Sequence, residues 1–280
     1  MLWQQMQSFF KSWFIYPGLE THLILIAIGV ALAFGAIWLV CHWPPLFKRH
    51  WLWAVGIFSA FFTLLAVVYV QIPLQYYSGQ ALSHFWDNGT LMDWLLLTGL
   101  PAILLSGLVQ EGAKMVPMVA WWWRSGNSIS PKMGLAIGAI AGAGFGIFEA
   151  FWGNATILGS GWTFDMIGQY GFTGITPFWE RFFTVALHTS ASALAGYGLA
   201  KGKGWQFYLI AAGLHALINY GVLLFYKQHL TVNQLEIWVA VVAMLATAWA
   251  LWLRWRRGEE EEEELVQPPA QPMEPAEPVN

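Results

Sequence analysis

Residues 134–153, GLAIGAIAGAGFGIFEAFWG, hold a single charged side chain, Glu149. Gly134, Gly138, Gly142 and Gly146 recur every four residues, which on an α-helix makes one smooth face. Such small-xxx-small stripes let a second helix approach closely inside a bilayer. Glu149 follows Gly146 by three positions and Gly142 by seven, so it shares their face. A carboxylate turned to lipid at the bilayer centre costs at least about 2.5 kcal/mol, whereas on a packing face it points into protein. The stretch therefore reads as a membrane helix built to lie against another, with an ionisable group turned inward.

The rest of the chain agrees. Of its 280 residues 57% are hydrophobic and only 10% charged, against about 25% charged in soluble domains. Runs long enough to span, about 20 apolar residues, fall near 22–41, 51–71, 93–122, 133–156, 182–200, 206–226 and 236–254. The expected fold is an all-α integral membrane protein, a bundle of about seven transmembrane helices within 22–254. Residues 1–21 form an N-terminal segment without the basic start and cleavage site of a signal peptide. The third run contains Pro101 and Pro117 and is expected to kink, tilt or break. The stretch 157–179 leaves room for an eighth, short or re-entrant segment. Residues 258–280, with eight Glu and no Lys or Arg, read as a disordered, Pro-rich tail. The lone Cys41 cannot form an internal disulfide. No basic stripe suggests nucleic acid.

Orientation follows from the positive charge. The connections at 42–50, 123–132 and 201–205, with Arg254, Arg256 and Arg257, hold nine of the thirteen Lys and Arg residues. The positive-inside rule puts them in the cytoplasm. The N-terminus is then outside and the tail cytoplasmic, as an odd number of spans requires, in a multi-pass protein of the plasma membrane.

Few ionisable residues lie inside the apolar runs: Glu111, Lys114, Glu149, His188 and His215. Helical spacing turns each toward the bundle. Gly107, Glu111 and Lys114 share a face; so do His188, Ser192 and Gly196, with Arg181 one heptad earlier; so do His215 and Asn219. Singly, each has a plain structural reading: a register-holding ion pair for Glu111 and Lys114, interhelical hydrogen bonding for His215 with Asn219 and for His188 with Ser192. Their occurrence on four successive inward faces favours one hydrated cavity within 93–226.

VQEGAK (109–114), GFGIFEAFWG (144–153), ERFFTVALHTSASALAGYGLAKGK (180–203) and LHALIN (214–219) resemble, in that order, the PrsW and YhfC families of glutamic-type intramembrane proteases, relatives of the CAAX prenyl proteases. The Glu180-Arg181 pair is similar to the YhfC branch. The resemblance covers about 95–225. It implies that Glu111 and Lys114 belong to a Glu-Glu-x-x-Lys/Arg motif, that Glu149 is the second-motif carboxylate, and that His188, His215 and Asn219 complete the set. Gln110 stands where the family has its first Glu, and Glu149-Ala150 where PrsW has Glu-Asn.

The chemistry implied is peptide hydrolysis in a membrane-embedded substrate. Glu111 or Glu149 is the candidate base, with His188 holding the water and His215 and Asn219 as oxyanion donors. If the two carboxylates converge, one keeps its proton and serves as acid. Gln110, Lys114, Arg181 and Ser192 support the site. No cofactor is favoured; a divalent ion such as Zn²⁺ on Glu111, Glu149, His188 and His215 is the rival mechanism. Two other classes stay open. One is a pseudoprotease or scaffold binding transmembrane segments, which Gln110 supports. The other is a proton-coupled transporter, against which no internal repeat is visible.

Overall fold

The computed structural model describes residues 2–256, so the acidic tail at 258–280 lies outside the described residues. The described residues fold as twelve α-helices: α1 Leu2–Ser12, α2 Thr21–His42, α3 Trp51–Ala66, α4 Ile72–Phe85, α5 Asn88–Asp93, α6 Leu95–Thr98, α7 Leu100–Arg124, α8 Pro131–Gly159, α9 Asp165–Tyr170, α10 Phe172–Ala200, α11 Gly204–Tyr226 and α12 Val232–Trp255. Among the described residues six segments are long and apolar enough to cross a membrane: Thr21–His42, Trp51–Phe85, Leu95–Arg124, Pro131–Gly159, Gly204–Tyr226 and Val232–Trp255.

α10 is a further long helix of 29 residues, and it forms the centre of the bundle. It packs against α2, α7, α8, α11 and α12, and every residue from Val185 to Leu199 is buried. A helix enclosed by protein needs no lipid-facing apolar surface, which is why it tolerates His188, Thr189, Ser190 and Ser192. Its neighbour α8 is nearly as enclosed, lying also against α2 and α3.

One boundary departs from the sequence reading, and two that it left open are now defined. The second apolar run does not stop at 71 but continues through a π-helical turn, Val67–Gln71, into α4. Pro73 explains the turn: it lacks an N–H, and its ring crowds the carbonyl four residues earlier, so the helix widens locally. The third run breaks at Trp94 and Gly99, and α7 begins afresh with Pro101 in its first turn, where the missing N–H is harmless. Between α8 and α10 there is only the six-residue α9, too short to be a span.

The amphipathic α1 is anchored by Trp13, just beyond its end. That indole is 2% exposed and stacks on Trp152 of α8 at 5.1 Å between ring centroids.

Candidate active site

The glycine face of α8 determines where α10 can put its side chains. A Cβ on Gly134 would strike the carbonyl oxygen of Gly196, one on Gly138 that of Ser192, and one on Gly142 that of His188. The two helices therefore run antiparallel, backbone against backbone. A Cβ on Gly146 would lie 3.2 Å from the His188 Cβ, so the imidazole rests above that glycine. From there its Nε2 reaches Glu149 Oε2 at 2.9 Å. Gly107 plays the same part for α7: a Cβ there would meet the Ala212 oxygen of α11. This approach brings Glu111 Oε1 within 2.9 Å of His215 Nδ1.

Hydrogen-bond bookkeeping fixes the protons. Lys114 Nζ lies 2.5 Å from Glu111 Oε1 and 2.8 Å from His188 Nδ1. An ammonium only donates, so His188 Nδ1 accepts, and its Nε2 carries the hydrogen that goes to Glu149. Glu111 accepts three hydrogen bonds. Its Oε1 accepts from Lys114 and His215, and its Oε2 accepts from Ser192 Oγ at 3.2 Å. The His215 N–H is thereby committed, leaving Nε2 as that ring's lone-pair nitrogen. Phe145 meets His188 edge-on at 5.4 Å and lies 5.8 Å from Lys114 Nζ, closing the site on the α1 side.

A cavity of about 220 Å³ opens beside this network, with Glu149, His188, His215, Gln110, Asn219 and Arg181 in its wall. Glu111 and Lys114 are not in that wall. The Glu149 side chain is 21% exposed and that of Glu111 1%. The two carboxylates thus do not converge on one another; the His188 ring stands between them. Nor do His215 and Asn219 form a pair of donors, because the imidazole N–H is spent on Glu111. Asn219 Nδ2 donates one hydrogen to Ser106 Oγ at 3.2 Å and keeps a second.

Arg181 pairs with its neighbour Glu180 at the cavity. Gln110 makes two hydrogen bonds, to Ser106 Oγ at 3.3 Å and to Gln71 Oε1 at 3.1 Å. Sequence reasoning missed both partners. Ser106 stands one turn before Gln110, a signal that was there to use. Gln71 sits at the end of an apolar run just before a proline, where an amide looks like a helix terminus.

Glu111, His188 and His215 each offer a ligand atom within 4.8 Å of the others. Four motifs in order on successive membrane helices, joined in one buried network, point to an intramembrane protease, and comparison with protein families decides which. The family described as PrsW family intramembrane metalloprotease matches residues 48–250. The chain belongs to the PrsW family. The match runs from the loop ahead of α3 almost to the end of α12, so in this PrsW protein α1 and α2 fall outside it. No curated protein and no solved structure matches the chain.

Proposed function

We propose that this PrsW-family protein is an active, metal-independent endopeptidase whose lytic water is activated by Glu149. The observation that carries the reading is the difference between the two carboxylates. Glu111 spends its oxygens on Lys114, His215 and Ser192 behind the cavity wall. Glu149 faces the cavity and is held by one N–H from His188.

Glu149 takes a proton from water as the water oxygen bonds to the substrate carbonyl carbon. The carbonyl oxygen becomes the oxyanion, for which Asn219 has an uncommitted amide hydrogen. As the C–N bond breaks, Glu149 returns the proton to the leaving nitrogen. His188, fixed in its tautomer by Lys114, steadies the carboxylate through both steps. His215 Nε2 suits the water's second hydrogen as an acceptor.

The family's description implies a metal, which Glu111, His188 and His215 could hold; the position of Lys114 supports the metal-free reading instead. The space between Glu111 Oε1 and His188 Nδ1, two of the three candidate ligands, is taken by the Lys114 ammonium at 2.5 and 2.8 Å. A cation there would have to displace the ammonium or else be repelled by it. Of the three, Glu111 is not in the cavity wall, whereas a catalytic ion needs an open position toward its substrate.

The same reading makes α10 a seventh span, with the N-terminus outside and the tail cytoplasmic in the plasma membrane. The substrate is a membrane-protein segment whose helix has unwound. Glu180-Arg181 and Glu149-Ala150 support the YhfC branch. A second reading, a pseudoprotease, rests on Gln110 replacing the usual first Glu.

The test is cleavage of fluorogenic transmembrane peptides by purified protein, with and without chelator. Glu149→Gln is expected to lower kcat by about 10²–10⁴-fold, and chelator to change nothing. Loss with chelator and recovery with Zn²⁺ would overturn the metal-free mechanism. A silent wild type that binds the peptides, with cutting restored by Gln110→Glu, would make the protein a pseudoprotease.

A further inference from the structure

The wall of the cavity opposite Glu149 carries amides and a hydroxyl that the hydrolytic step does not use. Gln110 is 7% exposed, yet its Oε1 is a buried acceptor with no partner among the described residues. Its two amide hydrogens are both committed, one to Gln71 Oε1 and one to Ser106 Oγ. Gln110 can therefore only accept. Ser106 Oγ accepts twice, from Gln110 and from Asn219, so its own hydrogen remains to be given. One acceptor and one donor thus belong to neighbouring turns of α7, on two residues of the cavity wall, the acceptor itself buried within that wall. That is the complement of a peptide group, which offers an N–H and a C=O a few ångströms apart. Water alone needs no such pairing.

Gln71 sets the arrangement. It comes from the π turn Val67–Gln71, not from regular helix. The extra residue in such a turn rotates the succeeding helix by about 100° relative to an uninterrupted α-helix. Four residues on, Gln75 donates to the Ala102 carbonyl of α7 at 2.7 Å, which pins α4 without touching the cavity residues.

We infer that Gln110, whose amide hydrogens Gln71 and Ser106 hold so that its carbonyl oxygen stays unpartnered, accepts the backbone N–H of an unwound substrate segment that presses into this wall, with Ser106 donating to that segment's C=O. Gln71 is a positioning residue acting through Gln110. The inference rests on the hydrolytic reading above and deepens it, naming extended backbone rather than a side chain as the feature this wall recognises. A transmembrane substrate has its N–H groups tied up until its helix opens, so the subsite selects for segments that unwind locally.

The probe is a fluorogenic peptide of about 20 apolar residues with a central Gly-Gly, and a series of the same peptide N-methylated at one position at a time. With wild type, methylation at one particular position is expected to raise KM about tenfold, the size of one lost hydrogen bond, beyond the effect at its neighbours. In Gln110→Met the unmethylated peptide shows the same rise, and methylation at that position adds nothing more. Gln71→Met weakens this coupling, and Gln71→Glu, which still accepts from Gln110, restores it. Gln75→Met, which removes only an interhelical bond, leaves the coupling intact. Equal methylation penalties in wild type and Gln110→Met overturn the subsite while leaving the hydrolytic reading standing. Loss of coupling in Gln75→Met as large as in Gln71→Met reduces Gln71 to interhelical glue. A wild type that cuts none of the unmethylated peptides sinks both readings at once.

Discussion

Lys114 is the least replaceable residue of the site. Its side chain is wholly buried, and it neutralises Glu111 while fixing the His188 tautomer. Lys114→Met leaves Glu111 as an unpaired buried charge, and breaking such a pair costs about 3–5 kcal/mol. The expected result is a markedly lower Tm in detergent, largely recovered in the double variant Lys114→Met, Glu111→Gln. An unchanged Tm in the single variant would mean that the pair holds nothing together. At this scale the sequence told a good deal. Five ionisable side chains in apolar runs were legible because lipid makes such residues rare. The division of labour between the carboxylates was not. Both stand on inward faces, and only the packing reveals that Glu111 accepts three hydrogen bonds behind the cavity wall while Glu149 lines the cavity with one. The bond from His215 to Glu111 was hidden for the same reason: spacing places His215 and Asn219 on one face but does not say which hydrogens are already committed.

Between elements, the α8–α10 contact governs the geometry. Gly142→Ala puts a methyl against the His188 carbonyl oxygen, so the helices must separate. A displacement near 1 Å at a reacting group costs about 10²-fold in rate. Gly142→Ala is therefore expected to lose most activity while still inserting and folding. Gly29→Ala on α2, where an added Cβ meets nothing within 4 Å, serves as the neutral control. Equal activity in the two variants would remove the glycine face from any part in placing His188. The stripe itself was plain from its four-residue period. Its partner was not, since every inward helix face is a candidate until the fold is known. The π turn was hidden too. A proline at 73 can end a helix or widen it, and the choice belongs to the surrounding packing, here the α7 contacts of Gln71 and Gln75.

Across the whole molecule, the cavity lies toward one end of the bundle. Its wall takes residues 180–188 of α10 and the opening turns of α12, including Arg181 and Leu235. The Lys- and Arg-rich connections at 42–50, 123–132 and 201–205 belong to the other end, which the proposed orientation puts in the cytoplasm. In a Cys41→Ser background, a His229→Cys thiol is expected to react with an impermeant maleimide added to intact cells. A Ser128→Cys thiol should react only after the cells are opened. The reverse pattern would invert the molecule and put the cavity mouth in the cytoplasm. Finally, the backbone-to-backbone seam between α8 and α10 has almost no side chains that could change rotamer to absorb sliding. The seam can shift only in jumps of one helical turn, about 5.4 Å, each of which would carry His188 off Glu149. The two helices accordingly behave as a single beam, and whatever flexing admits a substrate must be borne by the helices around it.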